Sequence, residues 1–188
     1  MKINIDIKII ELAGFSSVMQ ALRLPFGKEC RSASHAEYFF KEEYGLATSS
    51  VVTVDPKDKK LLSTLVKRGD EHAKAIRGLI VYAEINAPRY WWTEMDTYRI
   101  GAERLSSEST MHIQGKGLST EELVRMKEEL NEGTMQKRVE FFSYQALRRI
   151  YFQRRNHRLP HWHVFCDWIE TLPFADEWII IQEGDKNE

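Results

Sequence analysis

The 188-residue chain carries 43% hydrophobic and 11% aromatic side chains, enough for one full core, so a single domain over residues 1–188 is expected. With 27 Lys and Arg against 28 Asp and Glu, a net charge of −1 and a pI near 6.6, it is unlike a nucleic-acid coat or a polybasic membrane binder. Cys30 and Cys166 stand alone without CxxC spacing, which excludes a disulfide framework or zinc ribbon and points to reduced thiols in a cytoplasm. No basic-then-apolar leader opens the sequence, and the most apolar runs, LIVYAEI and WIIIQ, are far shorter than the roughly 20 residues of a membrane span. A cytoplasmic protein without a membrane segment is expected.

In chain order, KINIDIKII at residues 2–10 alternates Ile with polar residues and predicts a strand with one buried face. Gly14 breaks it, and VMQALRL predicts a short helix ending at Pro25. HAEYFFKEEYG is expected to be helical, and SSVVTVD, rich in branched residues, predicts a strand that pairs with the first. Leu61, Leu62, Leu65 and Val66 make an apolar stripe on a helix closed by Gly69. Asp70 is placed to cap a second helix, DEHAKAIRGLIVYAEI, whose apolar face is Ile76, Leu79, Ile80 and Ala83. Ser119 and Glu122 form a capping box for a helix over 120–130, ended by Gly133. Residues 134–158 carry Val139, Phe142, Ala146, Ile150 and Tyr151 at mostly helical spacing. Pro160 then opens a last helix with Trp162, Phe165, Cys166 and Ile169, and Pro173 closes it. WIIIQ reads as a third strand or an apolar tail.

Chemistry concentrates in three places. In PRYWWTEMDTYRIGAERLSSESTMH, from Pro88 to His112, helical spacing puts Arg89, Trp92, Asp96 and Arg99 on one face. Arginines beside hydroxyls suit phosphate, because guanidinium is planar, bidentate and permanently charged. The same arginines are also matched by Glu94, Asp96 and Glu103 for ion pairs on a solvated face. RRIYFQRRNHR sets Arg148, Arg149, Arg154, Arg155 and Arg158 among Tyr151 and Phe152, a mix fit for a nucleotide and equally for an exposed face or an oligomer contact. His157, His161 and His163 approach metal-ligand spacing, but Pro160 separates the first pair and His163 points away from His161 on a helix.

These residues resemble those of the flavin-dependent thymidylate synthases, the ThyX family, and the chain looks like a short, divergent, phage-type branch. That family shows an EH pair at a helix head and an S-R followed by Q and an R-H-R that opens RHRxxSxNExSxRY. It ends on R-x5-Q-W. Here Glu71-His72 match the EH pair, Pro88-Arg89 stand at S-R, Glu94 falls on the glutamine, and Arg99 matches the last arginine of R-H-R. Arg155-x5-His161-Trp162 matches the C-terminal motif with histidine for glutamine. Thr97 and Tyr98 depart from the first arginine and the histidine of R-H-R. The run to Ser109 is two residues longer than the motif, Met111 stands at its last arginine, and Phe165 replaces an arginine that helps bind nucleotide.

The resemblance covers about residues 70–165. It implies an α+β architecture, a small antiparallel sheet packed with a helical half, assembled as homotetramers with sites across subunit interfaces. It implies FAD as cofactor and dUMP or a relative as ligand, reduced flavin carrying hydride to the methylene that folate donates to dUMP. On this chain it assigns Arg89, Glu94, Arg99, Ser107, Ser109 and Arg155 to the nucleotide, and His72, Tyr98, Arg99 and His161 to the flavin. No metal is expected from the histidine spacing. Two other readings stay open: a nucleotide-binding or sequestering protein without the chemistry, and a homo-oligomeric, partner-binding protein with Trp91, Trp92 and Tyr98 in an interface.

Overall fold

The computed structural model describes residues 3–27, 35–41 and 46–181. A four-stranded antiparallel sheet carries the fold in the order β1-β4-β6-β5, formed by β1 (Asp6–Ala13), β4 (Ile80–Pro88), β5 (Ala102–Ser107) and β6 (Met135–Ser143). β4 and β6 are central, so each is held by backbone hydrogen bonds on both edges. From Ile80 to Ala87 the alternation along β4 is strict, with Val81, Ala83, Ile85 and Ala87 fully buried and the residues between them half-exposed, as the two-residue period of a strand requires. Under that face lie α3 (Arg89–Met95) and α7 (His161–Glu170). Their Trp91, Trp162 and Phe165 rings pack with centroids 5.0 to 5.9 Å apart, and Phe165 stands 5.7 Å from Phe142 of β6. Rings at these separations add edge-to-face attraction to the burial of their area. α6 (Tyr144–Arg154) adds Leu147 and Ile150 to the same core. The α+β expectation thus stands.

Several local expectations hold as well. α1 (Phe15–Arg23) follows Gly14, whose φ of 87° and contact with the Gly78 carbonyl leave no room for a Cβ. The helix with the Leu61, Leu62, Leu65 and Val66 stripe forms as α2 (Pro56–Lys67), followed by Gly69 with φ 99°; Asp55, which the sequence reading did not single out, caps it by accepting from the Lys57 amide. Ser119 and Glu122 complete the capping box of α5 (Thr120–Glu128). α7 begins after Pro160 and ends before Pro173.

Four expectations fail. The segment from Asp70 is a short 3₁₀ turn, Ala73–Gly78, and then β4. Its Ile76, Leu79, Ile80 and Ala83 fit a helix by coincidence, whereas the branched alternation after Leu79 fits a strand. Residues 134–158 divide into β6 and α6 at Ser143, whose Oγ caps the helix by accepting from the Ala146 amide. Residues 35–41 form strand β2 (His35–Lys41), which pairs with β3 (Leu46–Thr53), so SSVVTVD joins this hairpin rather than β1. Of the two readings of WIIIQ, its described residues follow the apolar tail rather than the strand: Trp178 closes the short α8 (Ala175–Trp178), and Trp178 and Ile179 are buried.

Candidate functional site

The Pro88–His112 stretch is not one helix. α3 stops at Met95, the chain turns through 96–101, and β5 then joins the edge of the sheet, followed by the short α4 (Thr110–Ile113). Gly101 makes the turn possible with φ 73°, since a Cβ there would sit 2.4 Å from Ser143 Oγ. Arg99 therefore lies off the helix, and the shared face of Arg89, Trp92, Asp96 and Arg99 does not form.

Glu94 is the hub of an internal network. Its Oε2 accepts from Arg154 Nη1 at 2.7 Å and from the Trp162 indole N–H at 2.8 Å. His157 Nε2 lies 3.6 Å away. Arg154 also donates from Nε to the Tyr98 hydroxyl at 2.7 Å and lies over the Trp162 ring at 4.5 Å. Charge-assisted bonds of this length are strong, and they tie α3, α6 and α7 together. Beside them the Tyr90 hydroxyl and His161 Nε2 are 3.2 Å apart, and burial lowers the pKa of His161.

The other sequence candidates scatter. Arg89 sits at the start of α3, with Nη2 3.7 Å from Glu132 and a buried Nε that meets no hydrogen-bond partner. Ser109 Oγ accepts from the His112 amide as the cap of α4, and Ser107 is exposed on β5 opposite Arg138. Arg155 is exposed above the Tyr151 and Phe152 rings at 5.8 and 5.5 Å. His72 is exposed ahead of the 3₁₀ turn. Among the described residues no three His, Cys, Asp or Glu side chains group as metal ligands. Cys166 is buried, and burial pushes its thiol up to about 12.

Two cavities lie beside the 96–101 turn. The larger, about 990 Å³, is lined by Arg77, Arg148 and Arg149, by the Phe141 and Phe152 rings and by Ile100, with Asp70 at its edge. Arg149 donates to the Ile100 carbonyl at 3.0 Å and Arg77 Nε to Gln145 at 2.6 Å, so both guanidiniums are held in place while further N–H groups remain. The smaller, about 270 Å³, is bounded by Tyr98, Arg99, Arg104, Asp96 and Glu140. Glu140 is 3% exposed, on the buried face of β6, and its Oε1 accepts no hydrogen bond. Arg138 Nη1 is 3.7 Å from that oxygen but bonds Asp96 at 2.7 Å. Burial pushes Glu140 up to about 7, with Arg138 pulling the other way. The sequence reading missed Glu140, Arg138 and Arg77. The signal for the first two was an Arg-x-Glu pair at alternate positions of an otherwise apolar strand.

No protein-family profile matches the chain, and no curated protein matches it by sequence. Solved structures do. ThyX from Helicobacter pylori, complexed with FAD and dUMP, superposes with a TM-score of 0.64 at 13% identity over 93% of this chain and 97% of its own. PolB, a UMP/dUMP methylase from Streptomyces cacaoi bound with 5-Br dUMP, gives 0.57 at 11% identity over 94% and 92%. The fold is that of the flavin-dependent thymidylate synthases. At such identity the likeness establishes the ThyX fold and leaves its chemistry to the residues present. The four side chains assigned to flavin do not converge on one cavity, for Tyr98 and His161 are committed to Arg154 and Tyr90. Ile100, next to Arg99, and Asp70, two residues before His72, line the larger cavity. Its aromatic walls and guanidiniums suit a flat ring bearing phosphates.

Proposed function

We propose that this protein binds a pyrimidine nucleotide, dUMP or a relative, beside the 96–101 turn. The base enters the smaller cavity and the phosphate meets Arg99. The observation that carries this reading is that Arg99 and Arg104 line that cavity and, among the described residues, make no hydrogen bond or ion pair. Uncommitted guanidiniums beside a ring-sized recess are what an anionic heterocycle needs. The phage-type placement and the homotetramer rest on the motif resemblance alone.

A second reading, flavin-dependent methylation of dUMP to dTMP, is favoured by the larger cavity. There Arg77 and Arg149 would hold a flavin's phosphates, while Phe141, Phe152 and Ile100 would wall its ring. The flavin, when bound, supplies the hydride. This chain's part is to orient two ligands on either side of one turn and to exclude water between them.

Calorimetric titration with dUMP tests the first reading. Arg99→Ala is expected to weaken binding by at least about tenfold, the worth of one charge-assisted phosphate contact, and unchanged affinity removes Arg99 from the site. Visible absorption after incubation with FAD and desalting tests the second. A retained flavin band supports it and a flat spectrum leaves nucleotide binding alone.

A further inference from the structure

We propose that Glu140 and Arg104 read the edge of the base, making the smaller cavity selective for a pyrimidine with an imide N–H, such as uracil or thymine, over cytosine. The inference rests on the nucleotide-binding reading above and names the specificity of that same site. Arg104 of β5 and Glu140 of β6 are direct cross-strand partners on one face of the sheet, so their side chains emerge side by side. Arg104 offers only donors, and Glu140 offers an acceptor, Oε1, that no protein group satisfies. A buried carboxylate oxygen left without a partner is costly, and a ligand N–H that meets it gains what the free protein lacks. Side by side, these groups present donor then acceptor. Uracil shows the complement, a carbonyl beside a ring N–H. Cytosine shows the reverse, placing its amino group against the guanidinium and its bare ring nitrogen against the carboxylate oxygen.

Selectivity then depends on the charge of Glu140. The charged groups that act on it are Arg138 from its own strand, Arg104 from β5 and Asp96 from the end of α3, and Arg99 of the turn and Glu103 of β5 line the same cavity. Burial, reinforced by the Asp96 charge, outweighs Arg138 and Arg104 and raises Glu140 to about 7. Once protonated, its O–H can donate to the ring nitrogen of cytosine, so the preference weakens below that pH and is restored above it.

The test is calorimetric titration of the full chain with dUMP and with dCMP at pH 6 and pH 8. Taking the ratio of affinities cancels the phosphate titration common to both. We expect dUMP to be preferred by at least about tenfold at pH 8, one mismatched polar contact, and by less at pH 6. Glu140→Leu should level the preference while leaving weak binding of both nucleotides through Arg99. Should that variant fail to fold, Glu140→Gln decides, since its preference should be the same at both pH values. A preference unchanged in these variants overturns the role of Glu140 while sparing the site. No binding of either nucleotide to the unsubstituted protein overturns both readings.

Discussion

Glu94 and Glu140 each have an arginine beside them, and their surroundings differ in one respect that decides what each can do. Glu94 receives an arginine and an indole N–H within 2.8 Å, so its charge is matched inside the protein. Glu140 is more deeply buried, yet the arginine beside it is spent on Asp96. A carboxylate whose lone pairs are filled by the fold has little left for a ligand, whereas one left short is either a cost to be removed or a contact awaiting a partner. The family resemblance singled out Glu94, and the geometry turns attention to Glu140.

The largest test breaks the Glu94 side. Trp162 is fully buried, bonds Glu94, lies under Arg154 and packs on Trp91 and Phe165. Trp162→Ala should cost about 4 kcal/mol in denaturant unfolding, as large-to-small changes at packed aromatic positions do. A loss under about 1 kcal/mol would mean that the network does not tie the three helices together.

Glu140→Gln should act in the opposite direction. The folded-state pKa of Glu140 is raised from 4.5 to about 7, so the native state binds the extra proton between those values and stability falls as pH rises through that window. Glutamine does not titrate, and the variant should gain on the parent protein from pH 4.5 upward. The gain levels off above pH 7 at roughly 3 kcal/mol, the product of the shift and 1.36 kcal/mol per pH unit. Urea titrations at pH 4 and pH 8 read this directly. Equal stability of the two proteins at pH 8 would show that Glu140 already has a partner for its charge.

Much of this contrast was hidden in the sequence for physical reasons. Caps are local, so Ser119 with Glu122, and Pro160, marked their helices correctly. The central strands were not legible because their pairing is long-range. β4 borrows both edges from β1 and β6, and its apolar residues also satisfy a helical period. β6 was harder still, since Arg138 and Glu140 occupy positions that alternation reserves for apolar side chains. Of the assigned site residues, Tyr98 and Arg99 do meet at one cavity. Arg89, His72 and Ser109 were assigned by motif matching, and the fold sets them at the start of α3, ahead of the 3₁₀ turn and at the cap of α4.

The smallest test falls on Tyr98, which belongs to both regions. Its hydroxyl is bonded by Arg154 Nε at 2.7 Å, on the Glu94 side, while its ring walls the cavity below Glu140. Tyr98→Phe removes the first and keeps the second. If the hydroxyl serves the fold, the variant loses about 1 kcal/mol of stability, the net worth of one hydrogen bond, and titrates with dUMP and takes up FAD as before. If the hydroxyl instead holds a ligand where the family places a histidine, stability stays level and ligand affinity drops. The two outcomes move different instruments, so this substitution separates a tyrosine that replaced a cofactor contact from one that locks the helices behind it.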